Sequence, residues 1–146
     1  MASVRDLLAR KPTDGTVVSI PATATVLEAV HLMDEQGVGG TVVTEGGRLT
    51  GIFTERDVMR RVVGERRDPA TTLVGDVMST PVLTVTPDTS IGEVRALITD
   101  RRLRHLPVVG ERGLMGLITI GDVLAWEVAE QQYTIQHLQD YVYFSR

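Results

Sequence analysis

The chain has 146 residues, 42% of them apolar and 23% charged, a composition typical of a globular protein built as one domain or as two small units sharing a core. Its formal net charge of −4 excludes the basic excess expected of a general nucleic-acid binder. The lack of cysteine excludes disulfides, thiolate metal sites and cysteine nucleophiles, and no apolar run approaches the roughly 18 residues that a membrane span needs.

Residues 4–9 read as a short lead-in helix, and the charges within 1–12 stand where a signal peptide would be apolar, so the expected compartment is the cytoplasm. A β-branched run over 16–20 leads into a turn at Pro21. Val26, Ala29, Val30 and Met33 then recur near the 3.6-residue period of a helix. Strands follow over 41–44 and 48–53, joined by the turn at Gly46-Gly47, and a second helix starts at Thr54. Residues 63–72 form a polar linker, and 74–80 begin with another short helix. The same order then returns: a strand over 82–85, a helix carrying Ile91, Val94, Leu97 and Ile98, and strands over 106–109 and 114–118 around a turn at 110–113. A long final helix runs over about 119–143.

The two halves are copies of one β-α-β-β-α unit. Gly51-Ile52-Phe53-Thr54-Glu55-Arg56-Asp57 aligns with Gly116-Leu117-Ile118-Thr119-Ile120-Gly121-Asp122 at an offset of 65 residues, and Val26, Glu28, Leu32, Val43 and Leu49 keep that offset to Ile91, Glu93, Leu97, Val108 and Leu114. A unit of about 50 residues buries too little apolar surface to be secure alone. The expected fold is therefore α+β: two pseudo-symmetric repeats packed sheet to sheet, with equivalent clefts between them and a long C-terminal helix. The expected division is 1–65 for the first repeat with its lead-in helix, 66–81 for linker and short helix, 82–125 for the second repeat and 126–146 for the helical tail.

The doubled Gly-apolar-apolar-Thr-x-x-Asp ending, Val-Met-Ser-Thr-Pro at 77–81, Arg-His-Leu-Pro-Val-Val at 104–109 and Thr-Glu-Arg-Asp at 54–57 resemble the tandem cystathionine-β-synthase (CBS) domain pair, or Bateman module, over about residues 4–125. The tail from Glu130 to Val142 looks like that of small stand-alone bacterial members. The resemblance implies that AMP, ADP, ATP, NAD(H) or an S-adenosyl compound binds in the clefts between repeats, and that modules pair as homodimers.

On the residues alone, Thr-x-x-Asp is a helix capping box. An ionised Asp is also acceptor-only and can hold both hydroxyls of a ribose, while the hydroxyl and free N–H groups at a helix start suit a phosphate. The family pattern combines the Thr-x-x-Asp of one repeat with an apolar base pocket from the other. One site would then join Asp122 as ribose ligand and Thr119, Arg104, His105 and Lys11 around the phosphate to a base wall of Thr16, Val17, Val38 and Gly39. The other would join Asp57 as ribose ligand and Thr54 and Arg56 at the phosphate to Thr80, Val82 and Leu103. Because Gly39-Gly40 stands where the second repeat has Arg104-His105, the two sites should differ. Arg101 and Arg102 read equally as a solvated helix end.

His31 and His137 have no partners at metal spacing, the Gly-rich stretches carry neither a Walker motif nor GxGxxG, and no catalytic constellation is visible. The expectation is a regulatory module without enzyme activity, sensing an adenine nucleotide and signalling to a protein effector or through its own dimer. The alternative is a constitutive dimeric scaffold with vacant clefts. The aromatic-rich tail has little core left to cover, and a dimer contact is the favoured reading for it.

Overall fold

The computed structural model describes residues 2–11 and 17–144. In chain order it comprises α1 (Val4–Arg10), β1 (Ser19–Pro21), α2 (Val26–Gln36), β2 (Gly40–Glu45), β3 (Arg48–Thr54), α3 (Glu55–Asp57, continued by wider π-type turns over Val58–Val63), α4 (Val74–Val77), α5 (Ile91–Arg101), β4 (His105–Gly110), β5 (Gly113–Thr119) and α6 (Ile120–Phe144). The α+β duplication is present as expected.

Local chemistry repeats at the offset of 65. Thr25 and Ser90 cap α2 and α5, their hydroxyls accepting from the Glu28 and Glu93 amides at 3.2 and 3.1 Å. The antiparallel ladders β2–β3 and β4–β5 slip register at Val43/Thr44 and at Val108/Val109, the same position in each repeat. Both helices end in the left-handed region, Gly37 at φ 64° and Arg102 at φ 52°, although only the first residue lacks a Cβ to strain.

The repeats differ at their first strands. β1 pairs in parallel with β2, but the strand expected over 82–85 is reduced to one bridge from Val85 to Val108. The reason is Pro107. Its counterpart Val42 donates its amide to the Val18 carbonyl, whereas proline has no N–H to offer the residue at 83.

Two apolar clusters form the core, one per repeat. The lead-in helices are exchanged between them. Val4 and Leu7 of α1, which precedes the first repeat, are buried in the second repeat's cluster. Val74 and Val77 of α4, which precedes the second repeat, are buried in the first's. Matching hydrogen bonds seat both: Val4 N–H to Thr89 O and Arg5 N–H to Pro87 O, against Val74 N–H to Ala24 O and Gly75 N–H to Ala22 O. Gly51 and Gly116 leave room for Met78 and Leu8, and a Cβ on Gly116 would lie 2.8 Å from Leu8 Cδ2. The lead-in helix that the sequence groups with residues 1–65 therefore packs its apolar side chains in the other repeat's core. Each fully buried Val in these contacts contributes about 1.5–3 kcal/mol, so the exchange binds the repeats together as well as completing each core.

The helix α6 leaves the second core early. Val123 is buried and Trp126 packs against the cluster, but residues 130–142 are exposed along their length. No helix among the described residues is long and apolar enough to cross a membrane.

Candidate cleft between the repeats

The junction of β5 and α6 builds the larger cleft. The Asp122 carboxylate accepts the Thr119 amide at 2.8 Å, and the Asp122 amide donates to the Thr119 hydroxyl at 3.2 Å, which is the expected capping box. Ile120 N–H donates to Arg104 O, drawing this turn against the start of β4. Lys11, just beyond α1, places its ammonium 2.9 Å from Asp122 Oδ2 and donates to Leu117 O at 2.7 Å.

A cavity of about 850 Å³ opens beside this turn, within the size range of small-ligand pockets. The first repeat supplies Val17, Val18, Val38, Gly39 and Gly40 to its wall, and the second supplies Arg104, His105, Thr119 and Asp122, with Lys11 between them. The first predicted grouping is thus assembled in one place, except that Thr16 lies outside the described residues. The first repeat's share of the lining is apolar or glycine, while the charged groups come from the second repeat and the α1 end, among further apolar residues.

The second grouping is assembled only in part. A cavity of about 430 Å³ is lined by Thr54, Arg56, Leu103, Arg104 and His105 together with Glu55 and Ser79. Asp57 is turned away from it and buried. One carboxylate oxygen accepts the Thr54 amide at 3.0 Å and faces the Thr54 hydroxyl at 3.3 Å. The other accepts the Ser79 hydroxyl at 2.8 Å, with Arg61 Nε 3.8 Å away. Thr80 and Val82 do not line this cavity; the Thr80 hydroxyl donates instead to Thr50 O at 3.0 Å.

Differences in three segments between the copies explain the inequality. The wall beside Asp122 is Gly37-Val38-Gly39-Gly40, and its counterpart, Arg102-Leu103-Arg104-His105, lines the smaller cavity with larger side chains. Ile120-Gly121 at the larger cleft becomes Glu55-Arg56 at the smaller, which adds a carboxylate and a guanidinium to its lining. Ser79 bonds Asp57, while its counterpart in the other lead-in, Ala9, has no hydroxyl and borders the larger cavity. Met115 and Leu117 also line the larger cavity; their period-two pattern marks them as strand residues without saying which face meets a cleft.

His105 and Arg104 border both cavities. Burial pulls the His105 pKa below its ordinary 6.5, opposed by the Glu55 carboxylate, aided by Arg104, opposed by Asp122 and aided by Lys11. Burial thus disfavours the charged imidazolium, and the ring nitrogens stand in the wall as hydrogen-bonding groups. The described residues contain no group of three or more His, Cys, Asp or Glu able to hold a metal ion.

The sequence matches the family described as CBS domain over residues 4–64 and 74–129. A solved putative signal-transduction protein with CBS domains from Burkholderia ambifaria superposes with a TM-score of 0.85 at 39% identity, covering 89% of this chain and 96% of that one. The CBS domain-containing protein YhcV of Bacillus subtilis is 30% identical over 131 residues, 90% of this chain and 89% of the relative. The mitochondrial CBS domain-containing protein CBSX3 of Arabidopsis thaliana is 37% identical over 137 residues, 90% of this chain and 66% of the plant protein.

Proposed function

This chain belongs to the CBS-domain family, and from that premise we propose that it is a sensor that binds one adenine nucleotide per chain, in the larger cleft, and passes its occupancy to a second copy or a protein effector. CBS-domain proteins are generally regulatory modules that bind adenosine ligands. The observation that carries the finer reading is the meeting of Asp122, Thr119, Lys11 and Arg104 with the apolar wall Val17, Val18 and Val38 in one 850 Å³ cavity.

In this reading Asp122 accepts the two ribose hydroxyls, Lys11 and Arg104 meet the phosphate, and the adenine lies against the valines. AMP, ADP, ATP and NAD(H) share these contacts, as does the adenosine part of S-adenosylmethionine. The ligand competes with Lys11 for the Asp122 carboxylate, so binding moves Lys11 toward the phosphate.

That movement has a route outward. The neighbouring Arg10 stacks its guanidinium 4.0 Å over the Trp126 ring and bonds Glu130 at 3.0 Å, both on α6. Displacing Lys11 therefore pulls at the contact between α1 and α6. A ligand shifts such an arrangement only through its differential affinity for the two states.

The test is a thermal-shift screen of ligand-free protein against AMP, ADP, ATP, NAD, NADH and S-adenosylmethionine. At about a hundred times Kd, a ligand bound only by the folded chain adds roughly 2.7 kcal/mol, which raises Tm by several degrees. A selective rise supports the sensor. A Tm indifferent to all six would leave a constitutive scaffold as the better description.

A further inference from the structure

We infer that the exposed face of α6 is the seam of a parallel two-stranded coiled coil with a second copy of this chain. Leu124, Val128, Ile135, Leu138 and Val142 are each at least half exposed although all are large and apolar. Their spacings of 4, 7, 3 and 4 residues place them on one heptad stripe, with Gln131 at the remaining position. Val123 and Trp126, which bind α6 to its own core, lie off this stripe, so the helix can pack against the module and present the seam together.

The residue types name the partner. Val128, Ile135 and Val142 take the a positions and Leu124 and Leu138 take d, and β-branched residues at a with leucine at d favour two parallel strands. In such a pair Gln131 faces its own counterpart. The two amides can bond each other, which sets the register at a cost in stability. A seam facing a different apolar surface would leave that amide without a matched group.

The flanks are compatible with self-pairing. Of the six e and g positions only Glu127 carries a charge, and Arg95 of the same chain holds it at 2.7 Å. Two identical copies thus meet without like-charge repulsion. The outward face is served within the helix by the Tyr133–His137 stack and the 3.0 Å Gln136–Asp140 bond. A helical segment of this length with no tertiary packing is marginal in water, and pairing supplies the burial that residues 130–142 lack within one chain. This inference does not depend on what fills the clefts.

The chain has no cysteine, which makes cross-linking of single variants clean. The unsubstituted chain should sediment at twice the chain mass, and Ile135→Lys should sediment at one while keeping the thermal midpoint of the module. Leu138→Cys, at the seam, should form an interchain disulfide under mild oxidation, and Tyr133→Cys, on the outer face, should not. A monomeric unsubstituted chain, a dimer that survives Ile135→Lys, or a dimer in which Leu138→Cys fails to cross-link would each overturn the inference. In the last two cases the copies would meet elsewhere or run antiparallel.

Discussion

Gly40 and His105 hold the same position in the two repeats and touch each other: a Cβ built on Gly40 would lie 2.9 Å from His105 Nε2. Equivalent residues meet only near the pseudo-twofold axis, where one side chain leaves no room for its twin. The absence of a side chain at Gly40 and the imidazole at His105 are therefore a matched pair, and the pair leaves the larger cleft open on the first repeat's side.

Gly40→Ala should cost about 1 kcal/mol or more through overpacking against the imidazole. His105→Ala should tolerate the added methyl, so the double variant should be more stable than the two single losses predict. A double-mutant cycle from urea unfolding measures this coupling.

Folding stability should depend on His105 below its ordinary pKa of 6.5. Because burial lowers the folded-state value, the unfolded chain takes up the proton first as pH falls. The histidine's contribution is full above pH 6.5 and declines below it, down to the folded-state pKa. Denaturation midpoints compared between the unsubstituted chain and His105→Gln should agree in slope above that pH and diverge below it.

Arg102 is the helix-ending residue that occupies the left-handed region without being glycine. Arg102→Gly should relieve strain and raise stability by up to about 1 kcal/mol, less the extra freedom gained by the unfolded chain. Thermal unfolding checks the sign.

The two aspartates should separate structure from binding. Asp57→Ala leaves the Thr54 amide and the Ser79 hydroxyl without their buried acceptor and should cost about 1–3 kcal/mol, with little change at the larger cleft. Trp126 is the one tryptophan in the chain. Its emission should shift on nucleotide binding, through Arg10, and Arg10→Met should abolish the shift without abolishing binding.

Much of this was legible in the residues. The offset of 65 carried the duplication, the element order and the asymmetry between Gly39-Gly40 and Arg104-His105. The exchange of the lead-in helices was not legible. Val4 and Val74 are related by 70 residues rather than 65, and an apolar stripe does not say which of two similar cores receives it. The burial of Asp57 follows from that exchange, because Ser79 reaches it only from the end of α4. The loss of the strand over 82–85 had a visible signal in Pro107, whose missing donor matters only once Val42 is seen donating at the same place. Lys11 was expected near the phosphate; its contact with Asp122 depends on where α1 docks.

The most direct measurement is calorimetric titration of ligand-free protein with AMP, ADP, ATP, NAD, NADH and S-adenosylmethionine, alongside Asp122→Asn. The asparagine keeps an acceptor for the Thr119 amide but loses the second acceptor oxygen and the charge. The predicted result is one site per chain, weakened about 10- to 100-fold in Asp122→Asn, as expected for lost charge-assisted hydrogen bonds. Binding that survives unchanged in Asp122→Asn, or no binding of any of the six, would contradict a nucleotide site in the larger cleft.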